Sequence, residues 1–231
     1  MADSPDADRL NAHRAQLNAL VVNVELTLVS IIQGVALYFL ADSTRQLILT
    51  QSLEYYLYAL NGLLIIFLFW SRAVIHTFTV IRWPLEFSHN FLYITCALFE
   101  ALAFANLSQP VLWNALQAVF AGLVWLLFAI DLRLVKARQR EFTGSRFTPL
   151  FATVRKDQML NIAGLIPVFI GFHLVVAGFL WRRQATGGSL RIHLYCAGLQ
   201  TLALSGYLIY LVRYFSQISP LLVFDVPLDD A

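Results

Sequence analysis

Charge is scarce in this chain. Only 13% of its 231 residues are Asp, Glu, Lys or Arg, while 59% are hydrophobic, and an ordinary soluble domain carries about twice that charged fraction. The deficit argues against a soluble globular fold. The 14 acids and 16 bases leave a formal net charge of +2, and no basic tract stands in a polar context, so the clustered basic face of a nucleic-acid-binding module is missing. Cysteine is nearly absent too. Cys96 and Cys196 both lie in apolar stretches without Cys-x-x-Cys spacing, so they read as small packing residues and imply no disulfide framework or metal site. No His-Glu-x-x-His, Gly-x-Ser-x-Gly, paired-aspartate or phosphate-cradling glycine motif occurs, and neither internal repeats nor low-complexity segments are visible. The Arg-x-x-x-Phe-Ser-Asp signature of the six-helix potassium channels of bacteria and lysosomes is also missing, since Arg14 leads to Asn18 at the Phe position.

What the chain has instead is long apolar runs. A helix needs about 20 residues to cross a ~30 Å hydrocarbon core, and six segments qualify: 18–40, 57–80, 89–107, 112–132, 159–181 and 190–212. They predict an all-α, six-span integral membrane protein in one domain. The remainder is a polar N-terminus (1–16), turns at Asp42-Ser43-Thr44, Arg82-Trp83-Pro84 and Ser108-Gln109-Pro110, a loop at 133–157, and a C-terminal tail (215–231). The N-terminus lacks the basic region, short apolar core and cleavage site of a signal peptide, so the first segment reads as a retained helix.

Alternating the segments puts twelve Lys and Arg at one end of the bundle and four at the other. By the positive-inside rule both termini and the 133–157 loop are cytoplasmic, in the plasma membrane, or the inner membrane of a bacterium. Within that loop, seven bases against the single acid Glu141 give +6 over 133–156, and Arg133, Lys136, Arg140 and Lys156 are placed to meet anionic lipid head groups.

Polar residues inside the apolar segments carry the functional signal. At 100° per residue, Glu54, Asn61, Arg72, His76 and Thr79 fall within an arc of roughly 60° on the second helix. Each costs about 2.5–3.5 kcal/mol at a helix centre if unpaired, so this side should face the bundle interior or water. Ile65 and Leu68 interrupt the seam as an apolar constriction or a packed layer. The first helix aligns Arg14, Asn18, Glu25 and Gln33. The third aligns His89, Tyr93, Cys96 and Glu100, and the sixth aligns His193, Cys196, Gln200, Tyr207, Tyr210 and Tyr214. The fourth, polar mainly at its ends (Asn114, Gln117, Asp131), is expected to be the most lipid-exposed. Depths of about 10 Å for Glu25 and about 9 and 15 Å for His76 and Arg72 make Glu25 the expected partner of Arg72 or His76. Glu100 shares its level with Gln33 and Gln200 and has no basic residue at its depth.

Two functional classes follow. In the first, helices 1, 2, 3 and 6 enclose an ion or proton pathway, a channel or small transporter, through Glu25, Gln33, Asn61, Arg72, His76, Glu100, Gln200 and Tyr207. In the second, the seams are interhelical glue and the protein is a non-catalytic subunit of a larger membrane complex. No catalytic group is assigned, and an enzyme is not expected. A third reading pairs His76 with His89 and His173 with His193 as bis-imidazole haem ligands; otherwise no cofactor or metal is expected. Gly164, Gly171 and Gly178, seven residues apart on the fifth helix, offer a close-packing face to a helix of the same chain or of an oligomer partner. Pro167 should kink that helix or free a carbonyl.

Overall fold

A computed structural model describes residues 5–79, 87–141, 148–187 and 191–222; the side chains of Arg14, Asn18, Glu25 and Thr79 lie outside that set, as do the expected turn at Arg82-Trp83-Pro84 and the last nine residues. The described residues form helices only: α1 (Pro5–Leu49), α2 (Tyr56–Thr79), α3 (Phe87–Phe104), α4 (Pro110–Glu141), α5 (Thr148–Leu160), α6 (Ile166–Ala185) and α7 (Ile192–Leu222). A 3₁₀ turn (Leu53–Tyr55) precedes α2, and a π turn (Asn161–Leu165) joins α5 to α6 into one rod, Thr148–Ala185. Five helices are long and apolar enough to cross a membrane; a shorter apolar stretch covers His89–Phe104.

The helices outrun their apolar segments. At Asp42-Ser43-Thr44, expected to turn, α1 continues because Asp42 accepts from Arg45 (2.9 Å) and Gln46 (3.1 Å) on its own helix, and the Thr44 hydroxyl donates to the Leu40 carbonyl. Such i,i+3 and i,i+4 pairs carry a helix through polar sequence. It ends at Leu49, where Gln51 takes φ 54° and Ser52 and Gln51 donate to the Leu47 and Ile48 carbonyls, a Schellman stop. Likewise the expected loop 133–157 is mostly helix, the end of α4 and most of α5, and the expected tail is helical to Leu222. The turn before Pro110 forms as expected, with Pro110 opening α4, where its missing N–H costs nothing.

Successive rods run up and down. α1 packs on α2 and α3, α2 on α7, and α4 lies against α3 on one side and α5 and α6 on the other. The fourth helix is therefore central, not peripheral, with Trp113, Asn114, Gln117, Phe128, Asp131 and Val135 all buried. The reason is that two of its polar end groups have partners on neighbouring helices, Asn114 with His173 of α6 and Asp131 with His76 of α2. Apolar side chains cover the outside, as Val168, Val175 and Leu202 show. Arg133, Lys136, Arg140, Arg155, Lys156 and Arg213 are exposed at a single end, called here the basic end.

Two helix details bear on the interior. In the π turn the Ile166 N–H donates to the Asn161 carbonyl, a five-residue register in which the Ile162 carbonyl would look to position 167. Pro167 has no N–H, so that carbonyl is indeed released, and the Trp125 indole of α4 takes it up at 3.0 Å. The tight glycine is Gly62, where a Cβ would lie 2.7 Å from Leu40 and 3.1 Å from Phe104; beside Gly171 and Gly178 the space is open, and Gly164 meets only Leu160 of its own rod, at 4.0 Å.

Candidate functional site

The basic end of the interior is built around Arg72. Burial without a partner would cost its guanidinium several kcal/mol, and the partner is Asp157 of α5, held bidentately at 2.7 and 2.9 Å. The same guanidinium donates twice to the Tyr207 hydroxyl (2.9 and 2.8 Å) and lies 5.4 Å from the ring centroids of Phe128, Tyr207 and Tyr214. The Tyr207 hydroxyl donates in turn to Asn161 Oδ1 (2.6 Å), and Tyr210 donates to Asp157 (2.6 Å). The π turn positions Asn161, whose amide reaches back to the Asp157 carbonyl at 2.8 Å. Asp157 thus fills the role expected of Glu25. It is the last residue of the expected 133–157 loop; its spacing of four from Asn161 ahead of a long apolar run is the sequence signal for a helix.

One turn beyond Arg72, His76 meets a second acid. Its Nδ1 lies 2.8 Å from Asp131 of α4 and its Nε2 lies 2.7 Å from the Gln158 amide nitrogen, while His89 of α3 approaches the other Asp131 oxygen at 3.4 Å. This geometry suits a ring that donates from Nδ1 and accepts at Nε2. Protonating Nε2 requires the amide to turn and present Gln158 Oε1, which has no other partner. Asp131, His76, His89 and Gln158 therefore form a cluster able to hold a proton in more than one place.

At the opposite end, Asn61 donates to Gln200 Oε1 (3.2 Å) and the Ala197 carbonyl (3.0 Å), accepts from Thr201 (2.7 Å), and shares Gln200 with the Trp113 indole (3.3 Å). His193 meets the Tyr58 hydroxyl at 3.3 Å and stacks on Tyr55, centroids 5.5 Å apart; burial and the neighbouring Glu54 carboxylate hold the Tyr55 phenol above its ordinary pKa. His173 pairs with Asn114 (2.7 Å). Between α1 and α3, Gln33 donates to Glu100 at 3.2 Å.

The eight expected pathway residues thus separate into groups: Gln33 with Glu100, Asn61 with Gln200, Arg72 with Tyr207, and His76 apart with Asp131; the Glu25 side chain lies outside the described residues. Cys96 is fully buried beside Glu100, and both cysteines are free thiols. Sequence reasoning missed Asp157, Gln158, Asn161 and Trp113, whose roles appear only once the helices are packed. Both nitrogens of His76 are engaged, so an iron there would have to displace Asp131 or Gln158. Among the described residues no group of three or more His, Cys, Asp or Glu is arranged to hold a metal ion.

One cavity of about 430 Å³ links two of these groups. Gln200 borders it toward the far end and Arg72, His76, His89, Asp131, Asn161 and Tyr207 toward the basic end; Ile65, Leu68, Phe69 and Phe120 are among its apolar walls. The buried Nε2 of Gln200 has no hydrogen-bond partner, and Oδ1 of Asp131 has the His89 ring at 3.4 Å but no closer donor; buried polar atoms so placed call for water or a ligand. Comparison with protein-family models, with curated proteins and with solved structures finds no match for this chain.

Proposed function

We propose that this protein is a multi-pass membrane protein that moves protons through its interior. The reading takes the rod Thr148–Ala185 as one span and α3 as the short sixth, with the basic end and both termini in the cytoplasm by the positive-inside rule and the exposed bases of α4 and α5 against anionic head groups. The observation that carries it is the cavity, which joins Gln200 on the far side to the Asp131, His76 and His89 cluster on the basic side. Its walls are too apolar to replace the hydration shell of a metal cation, which needs rings of carbonyls or carboxylates. A proton needs only titratable groups and transient water, and Asp131 with its two imidazoles supplies the groups. Arg72 and Asp157, locked bidentately, hold the helices around this path.

A second reading, a subunit of a larger membrane complex, is favoured by the open space beside Gly171 and Gly178, which a partner helix or a second copy could fill.

The test is proton flux after a pH jump in liposomes holding the purified chain. Wild type should acidify the lumen, and Asp131→Asn should slow this by about a hundredfold or more, the range lost with a proton-transfer group. Silence of folded wild-type protein would remove the pathway and leave the subunit reading.

A further inference from the structure

The same cavity opens sideways. Val168 of α6 and Leu199 of α7 line it, yet they are 72% and 56% exposed on the outer surface of the bundle; Leu165 and Ala203, exposed as well, complete the rim. α6 and α7 scarcely touch, so this is a slot facing the surrounding lipid and not a sealed void. Its interior is apolar and aromatic with a few polar groups at one end, and its volume lies within the ~300–1,000 Å³ that holds one small ligand.

The polar end determines the kind of head group. Arg72 already engages Asp157 with Nη1 and Nη2 and Tyr207 with Nε and Nη2, so both two-donor edges of the guanidinium are taken and no bidentate site is open to a phosphate or carboxylate. An anionic head would also approach the carboxylates of Asp131 and Asp157. Asp131 Oδ1 is buried and has the His89 ring at 3.4 Å but no closer donor, so a lone pair is open to a head-group hydroxyl. We propose that the slot binds an uncharged single-chain amphiphile taken from the bilayer, of the monoacylglycerol class, with a head hydroxyl donating to Asp131 Oδ1 and the chain running past Phe69 and Phe120 and out between α6 and α7. Binding does not rest on the proton pathway. Only its consequence does: a chain in the slot displaces water between Gln200 and Asp131 and so blocks the path.

The experiment uses the full chain in phosphatidylcholine liposomes with a monoacylglycerol carrying a chain diazirine, peptide mapping of the labelled sites, and proton flux on the same preparation. Labelling is expected at 165–172 and 199–204, saturable, competed by unlabelled monoolein, and reduced about tenfold by Val168→Trp, an exposed position where the fold is not at stake; Ala203→Trp should do the same from the other side of the gap. Non-saturable labelling spread over outward positions such as Tyr195 and Leu202 would overturn the proposal. So would equal competition by phosphatidylcholine analogues, which would make the occupant a phospholipid. Flux without saturable labelling keeps the pathway and removes the amphiphile; saturable labelling without flux does the reverse.

Discussion

Arg72 concentrates most of the electrostatics of the interior. A bidentate partner, a phenol and three aromatic rings surround its charge, so each removal leaves a buried charge unanswered. Arg72→Met and Asp157→Leu should each cost about 3–5 kcal/mol of stability, whereas the two together should cost clearly less than their sum, since no lone charge remains. A double-mutant cycle of unfolding in detergent measures this, and strict additivity would show that the pair is not coupled. Residue types on a wheel correctly marked Asn61, Arg72, His76, Glu100 and Gln200 as interior. They could not supply the partners, because Asp157 lies 85 residues from Arg72 and its facing depends on how α5 is rotated in the bundle.

Among the elements, glycine positions separate packing within the chain from packing beyond it. At Gly62 a methyl group would press into Leu40 and Phe104 where α1, α2 and α3 cross, so Gly62→Ala should destabilise by about 1–3 kcal/mol through overpacking. At Gly171 and Gly178 nothing is within 4 Å, and Ala there should be neutral or stabilise by about 0.5–1 kcal/mol through helix propensity. A loss of oligomer by size exclusion in Gly178→Ala would instead identify that face as an interface. The seven-residue spacing drew attention to the wrong glycines for the monomer because a small-residue stripe states where close approach is possible, while only packing shows where it occurs. The extension of α1, α4 and α7 through polar sequence has a similar cause: hydropathy marks the part of a helix that suits lipid, not the part that is helical.

For the whole molecule, the alternation of the rods places the exposed bases of α4 and α5 at one end and the α6–α7 turn at the other. If the proposed six-span topology holds, then in a Cys96→Ala, Cys196→Ala background Lys136→Cys should react with a membrane-impermeant maleimide only after permeabilisation and Thr186→Cys in intact cells; labelling of both from outside would overturn that proposal. The helical class, the apolar segments and the inward side of α2, α3 and α7 were legible in the sequence alone, because composition and periodicity are local properties that the hydrophobic effect reads directly. The pairing of Arg72 with Asp157, the sharing of Asp131 by His76 and His89, the central place of α4 and the cavity with its lateral opening were decided only by the tertiary structure. Each depends on the rotation and neighbours of helices far apart in the chain, and one turn of any of them would present a different residue.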